Sequence, residues 1–431
     1  MKKLAINGGE KIRQNPFPAY NNIGKEEEEA ALRVLRSGKL STFLGAWHGD
    51  FYGGDEVKAL EREWAAHFGI KYAISVNSAT SGLICAVGAC GIEAGDEVIV
   101  SPYTMSASAI APLFYGGIPV FADIEKDTYC LDPKSVEAKI TPRTKAIIVV
   151  DIFGQPYDAD AINAIAKKYN LLVIEDTAQA PGAKYRDKFA GTLGDIGIYS
   201  LNYHKHIHSG EGGIIVTDDD KLADKLYLIR NHAESVMANK GYNGVQDLVN
   251  MVGFNFRMTE IEAAIAREQL KKLSSLLEQR VQNVNYINDE FKKLGFIKTT
   301  KIREYATHAY YVHPLEFEAK DIHRDLFIKA VKAELPKTVL RDDSDVLVGC
   351  GYVKPIYLQP IFEHKIAFGS KGYPFNLSNQ TYQKGDCPVC EELHFNKLFT
   401  HELMRPPMSK EDMDDVIKAF VKVWENRAEL K

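Results

Sequence analysis

The 431-residue sequence predicts an α/β fold: a mostly parallel seven-stranded sheet sandwiched by helices, followed by a smaller α+β region. Two observations carry this. Between residues 72 and 217 short apolar runs alternate with helical patterns, the order in which a helix returns the chain between parallel strands. The runs are also apolar almost throughout, as in Ala146-Ile147-Ile148-Val149-Val150, which suits strands buried on both faces.

The elements follow in order. Glu26 to Ser37 reads as a helix, because its first turn is acidic and Gly38 offers a C-terminal stop. Gly53 to Asp55 form a turn, and Glu56 to Phe68 an amphipathic helix. Candidate strands are Tyr72 to Val76, Glu97 to Val100, Pro119 to Ala122, Ala146 to Asp151, Leu171 to Glu175, Ile196 to Ser200 and Gly213 to Thr217. Between and after them lie candidate helices at Ser81 to Ala89, Ala107 to Tyr115, Pro133 to Lys139, Asp158 to Tyr169 and Asp219 to Asn231.

After Thr259 a long helical pattern runs through Leu270, Leu273 and Leu276, a spine between a large and a small domain. Beyond it come a strand-like run (His308 to Phe317), two helices (Asp321 to Glu334 and Lys410 to Asn426) and an aromatic-, proline- and glycine-rich stretch from 351 to 385. The expected division is a large α/β domain over residues 1–270, with an N-terminal arm and helix, and a small α+β domain over 271–431. The small domain carries a long loop at about 335–390. No internal repeat or low-complexity segment interrupts this plan.

Composition narrows the function classes. Apolar residues make up 45% and charged residues 26%, ordinary for a globular protein, and a net charge of −5 gives no reason to expect nucleic acid or a membrane as partner. The N-terminus lacks an apolar run of signal-peptide length, and no stretch reaches membrane-spanning length, so a cytoplasmic location is expected. The six scattered cysteines then read as reduced thiols.

In open sheets of this kind ligands bind beyond the carboxyl ends of the strands, and three segments end there. Val173-Ile174-Glu175-Asp176 closes a strand with an acid, and Gln179 follows three residues later. Ser200 ends another strand, with Lys205 five residues on and the turn Gly210-Glu211-Gly212-Gly213 after it. Val76-Asn77-Ser78-Ala79-Thr80-Ser81-Gly82 leads from a strand into a helix.

Singly, each has a bland explanation: Asp176 or the Ser78-Thr80 turn as a helix cap, Lys205 as one solvated charge among 53 basic residues. Together they supply what pyridoxal phosphate (PLP) needs. Asp176 would keep the pyridine nitrogen protonated, and Lys205 would form the Schiff base, helped by a site that depresses its pKa. The Ala79 and Thr80 amides, with the Ser78, Thr80 and Ser200 side chains, would cup the phosphate.

Two further patterns point elsewhere. His204, His206 and His208 would share one face of an extended segment. A three-ligand metal site usually adds a carboxylate or a distant histidine that nothing here specifies, so no metal is expected. Cys387-Pro388-Val389-Cys390 with His394 is half a zinc motif, better read as packing or loop cysteines. No Gly-x-Gly-x-x-Gly follows the first strand, which removes a dinucleotide-binding dehydrogenase.

Further segments widen the pattern: Leu35-Arg36-Ser37-Gly38-Lys39-Leu40-Ser41, Pro119-Val120-Phe121-Ala122-Asp123-Ile124 and Gly253-Phe254-Asn255-Phe256-Arg257-Met258-Thr259. With the Asp176 and Lys205 segments, they resemble the PLP-dependent sugar aminotransferases of the DegT type, which have the type I (aspartate-aminotransferase) fold. The resemblance spans nearly the whole chain. It implies an enzyme that moves an amino group from L-glutamate or L-glutamine to a keto-sugar, most often nucleotide-linked, in surface-glycan, lipopolysaccharide or natural-product sugar biosynthesis. A keto-cyclitol of the inosose type is the alternative acceptor. A PLP-dependent sugar dehydratase or a catalytically silent PLP-binding regulator is a more distant reading.

Carried over by residue, the resemblance implies Lys205 as Schiff-base lysine and proton shuttle, Asp176 as pyridinium partner and Gln179 beside the ring. Ser200 and the Ala79-Thr80 turn would take the phosphate. Asn255 would reach the phosphate of the neighbouring subunit, which makes a homodimer with shared active sites part of the expectation. Arg257 is a candidate for local structure or a substrate carboxylate.

The sequence departs from the family where an aromatic usually stacks on the cofactor: it has Met105, whose polarizable sulfur suits a ring face, with Tyr103 as a neighbour able to take over. The chain is also longer than typical, chiefly at 335 to 390, where Tyr352, Lys354, Tyr357, Gln359, Tyr373 and Tyr382 are candidates to line a substrate pocket.

Overall fold

The computed structural model describes residues 3–240, 249–337 and 345–430; part of the expected 335–390 loop, residues 338–344, lies outside the described residues. Seven strands form the main sheet: β1 (Tyr72–Val76), β2 (Glu97–Val100), β3 (Ile118–Phe121), β4 (Thr144–Val150), β5 (Leu172–Asp176), β8 (Ile196–Ser200) and β9 (Gly213–Thr217). A short hairpin, β6 (Lys184–Tyr185) with β7 (Lys188–Phe189), intervenes. The seven expected strands are all present, their ends shifted by at most two residues.

The sheet order is β1-β9-β8-β5-β4-β2-β3. All pairings are parallel except those of β9, which runs antiparallel to both β1 and β8. Strands β1, β5 and β8 therefore end at the same edge, where β9 begins. Every residue of β2, β3, β8 and β9 is buried, as their unbroken apolar runs require.

Helix Glu260–Phe291 is the expected spine, opened by a reciprocal cap between Thr259 and Glu262. Ala263, Ala266, Leu270 and Leu273 pack with Tyr199, Leu201 and Val216 of the large sheet. Val284, Ile287 and Phe291 pack into a second core instead. That core covers a four-stranded antiparallel sheet, in the order β10 (Ile297–Thr299), β11 (His313–Phe317), β13 (Leu398–His401), β12 (Val348–Cys350).

Two segments pack where sequence position alone would not place them. Leu4 and Phe17 join the second core with the helix Lys410–Glu425, and Lys422 Nζ donates to the Glu10 carbonyl at 2.6 Å. Conversely, much of the segment from 356 to 393 packs onto the main sheet. Phe121, at the end of β3, meets Tyr357, Phe362 and Tyr382 with ring centroids at 5.6, 5.3 and 5.7 Å. The Tyr382 hydroxyl donates to the Pro119 carbonyl at 2.8 Å, and Tyr357 donates to Glu391. Tyr357 and Tyr382 are thus core residues and not pocket lining.

Candidate active site

Backbone register assembles the site. Val76 pairs with Gly213, Gly213 with Ser200, and Asp176 with Ile198, so the ends of three strands lie side by side. After Ser200 the chain makes a loop closed by Leu201 N–H on the Gly212 carbonyl at 2.9 Å and Ser209 N–H on the Leu201 carbonyl at 3.0 Å. Lys205 stands within it. Gly213 has no room for a side chain: a Cβ there would lie 2.6 Å from the Ala79 nitrogen. That contact brings the start of helix Ala79–Ala89 directly against the strand returning from the Lys205 loop.

Asp176 is buried. Its carboxylate accepts the Ser108 hydroxyl at 2.6 Å and the Ala178 N–H at 3.2 Å. Burial raises its pKa, because a low-dielectric surrounding disfavours the charged form. The two hydrogen bonds and the positive charge of Lys205 oppose that rise.

Lys205 is the complementary group. Burial lowers its pKa to about 8; Asp176 works against the drop and Arg405 adds to it. The ammonium lies 4.2 Å from the centroid of the Tyr311 ring, within cation–π range. Arg405 is itself buried and paired with Glu402.

The three histidines part company. His206 is buried, its Nε2–H donating to the Ala309 carbonyl at 2.8 Å, and burial holds it neutral. His204 stands edge-on to Tyr203, while the His208 backbone N–H donates to Gln269 Oε1 at 3.2 Å. Among the described residues, no group of three or more His, Cys, Asp or Glu is placed to hold a metal ion. Cys387 and Cys390 are buried in the main core, and the Val389 and Cys390 amides bond the Asp123 carboxylate at 2.8 and 3.0 Å.

At the helix start, Ser78 is the N-cap, its hydroxyl accepting from Ser81 N–H at 3.1 Å. The first intrahelical bond is Gly82 N–H to the Ser78 carbonyl, so the Ala79 and Thr80 amides precede the helical ladder. Ser200 Oγ accepts from Asn202 N–H at 3.3 Å. Gln179 is buried, bonded to the Phe153 amide and the Tyr352 hydroxyl.

Two expected site residues are exposed. Met105 is 55% exposed, its sulfur accepting from Ala107 N–H at 3.1 Å. Asn255 Oδ1 accepts from Arg257 Nε–H at 2.7 Å, and the flanking Phe254 and Phe256 rings stack on each other. Ser108, Tyr311 and Arg405 are additions that sequence reasoning missed. Ser108 left a faint signal, as a lone hydroxyl in an apolar helical run; the other two left none.

This donor set suits PLP. It offers a buried carboxylate for a cationic ring nitrogen, a buried amine with a depressed pKa, and helix amides ahead of the ladder for a phosphate.

Residues 22–421 match the DegT/DnrJ/EryC1/StrS aminotransferase family. The chain belongs to this family. It is a PLP-dependent aminotransferase with the type I fold. The spore coat polysaccharide biosynthesis protein SpsC of Bacillus subtilis (strain 168) is 32% identical over 94% of this chain and 97% of its own. An L-glutamine:2-deoxy-scyllo-inosose aminotransferase of Streptoalloteichus tenebrarius is 30% identical over 99% of each chain. The solved structure of DesI in the presence of its TDP-sugar product superposes with a TM-score of 0.80 and 25% identity, covering 99% of this chain and 97% of that one. Among the described residues, no helix of this aminotransferase is long and apolar enough to cross a membrane.

Proposed function

We propose that this aminotransferase moves an amino group from L-glutamate or L-glutamine to a nucleotide-linked keto-sugar in surface-glycan, lipopolysaccharide or natural-product sugar biosynthesis, in the cytoplasm. The observation that carries the chemistry is the buried ammonium of Lys205 set against the buried carboxylate of Asp176. When bound, PLP supplies an electron sink for the carbanion at the donor Cα. Lys205 would hold the cofactor, and its amine would carry the proton to and from the donor Cα. In the ligand-free chain burial lowers its pKa to about 8, toward the neutral amine that can accept a proton. Asp176, held by Ser108, would keep the ring nitrogen protonated. The Ala79 and Thr80 amides with Ser78 and Ser200 would bind the phosphate, and Gln179 would lie beside the ring.

We assign Asn255 to the phosphate of a second subunit. The Arg257 bond takes up its carbonyl oxygen and leaves its amide NH2 to donate outward. Met105 and Tyr203, each within three residues of a site side chain, are exposed in the single chain; a partner subunit and a bulky acceptor would cover them. The division is drawn at residue 270, with Leu4 and Phe17 of the arm packing in the core of the C-terminal unit.

Similarity to SpsC supports a surface-glycan role, and similarity to DesI with its TDP-sugar supports the nucleotide-linked acceptor. The 30% identity to the inosose aminotransferase, over nearly the full length of both chains, favours a keto-cyclitol as the second reading. Incubating the enzyme with amide- or amine-labelled donor and a panel of both acceptor classes, with mass detection of the aminated product, tests the choice. Label in a nucleotide-linked amino sugar supports the first reading; label only in an aminocyclitol replaces it with the second.

A further inference from the structure

We propose that Tyr352 is a positioning residue for Gln179, holding the amide that the Phe153 N–H orients so that one Nε2 proton stays available to a bound ligand. The inference rests on the cofactor site described above and names a determinant of its electronic environment. Phe153 sits in the turn after β4 with a left-handed backbone (φ 61°) and is fully buried, so its N–H needs an acceptor inside the protein. Gln179 Oε1 is that acceptor, at 2.8 Å. This settles the orientation of the amide, since Nε2 cannot accept. Nε2 then faces the Tyr352 hydroxyl at 3.3 Å, to which it donates one proton. The second Nε2 proton remains for an oxygen acceptor on the bound group.

Tyr352 is held independently of Gln179. Its ring stands edge-on to Phe153, with centroids 5.1 Å apart, and to Tyr103 at 6.2 Å. Tyr103 is itself buried and bonded through its hydroxyl to His394 Nδ1 at 3.1 Å. The phenol stays neutral, because burial and the negative charge of Asp176 push it up to about 12. A neutral, rigidly packed hydroxyl 173 residues away along the chain thus completes the clamp on Gln179. Tyr352 lies just after β12, so a residue from the second sheet's side of the chain sets an amide on the PLP-binding sheet.

The test is a pH titration of the visible absorbance of the PLP-loaded protein, for wild type, Tyr352→Phe, Gln179→Leu and the double variant. Without the Tyr352 hydroxyl the Gln179 amide is anchored only through the Phe153 N–H, and its remaining Nε2 proton is held less firmly on the bound group. An acceptor oxygen whose donor weakens holds its own proton more tightly, so the midpoint in Tyr352→Phe should rise by about half a unit. Gln179→Leu should raise it at least as far, and the double variant no further than Gln179→Leu alone. Tyr352→Phe keeps the ring, so its melting temperature should stay within about 2 °C of wild type. An unchanged midpoint in Tyr352→Phe, or shifts that add in the double variant, overturns the proposal. Wild-type protein that takes up no PLP overturns the functional reading beneath it, and the proposal with it.

Discussion

Ser108 and Asp176, 68 residues apart in sequence, meet at 2.6 Å, the serine hydroxyl donating to the buried carboxylate. Burial raises the Asp176 pKa, and this bond is the largest influence holding it down. Ser108→Ala should let it climb further, so that less of the carboxylate is ionised at a given pH. PLP affinity should fall by about tenfold near neutrality, the effect of one hydrogen bond to a charged group. The loss should grow as pH falls and shrink as it rises. Equilibrium dissociation of PLP measured across pH checks both the size and the direction.

Lys205 carries its own pH signature. Its pKa is about 8 when folded, against 10.5 for a free side chain. Between those values the unfolded chain binds more protons, so this group's contribution to stability rises with pH across that window. Below it, the folded protein bears the full cost of a buried ammonium. Apo Lys205→Met should therefore exceed apo wild type in stability by on the order of 2–3 kcal/mol at pH 7, with the gap closing towards pH 10. Urea unfolding at both pH values is the measurement.

Gly213 and Ala79 touch without room between them. Gly213→Ala forces a Cβ to within 2.6 Å of the Ala79 nitrogen, so the helix start must move away from β9. PLP affinity should drop by more than tenfold, with a stability loss of about 1–3 kcal/mol from overpacking. Affinity close to that of wild type would show that this helix start does not hold the phosphate.

The proposed homodimer with shared sites predicts rescue between subunits. Homodimers of Lys205→Ala and of Asn255→Asp should each be nearly inactive. After mixing and subunit exchange, about one site in four combines an intact lysine with an intact asparagine, as two-fold symmetry requires. Activity near a quarter of wild type supports the arrangement; no recovery after proven exchange places Asn255 away from the partner's site.

The strands were legible because parallel strands buried on both faces need unbroken apolar runs, and the run from Ala146 to Val150 admits little else. Asp176 and Lys205 stood out because their distance from strand ends is local information. Ser108, Tyr311 and Arg405 did not, since each acts through a neighbour far along the chain. The same reason hid the packing of Tyr357 and Tyr382 on Phe121: an aromatic-rich, glycine-rich stretch has the composition of a loop whether or not it is buried. The antiparallel strands β10, β12 and β13 span only three or four residues each, too few for periodicity to register.

The central claim is that Lys205 carries the amino-transfer chemistry, and the visible spectrum of the purified protein tests it most directly. Wild-type protein should be yellow with bound PLP and lose that band when L-glutamate or L-glutamine is added, as nitrogen passes to the cofactor. Lys205→Ala should still bind PLP, yet change at a rate on the order of 10²–10⁴-fold lower and fail to regain the starting spectrum. A Lys205→Ala protein that converts as fast as wild type, or a wild-type protein that binds no PLP even when it is supplied, would contradict the account.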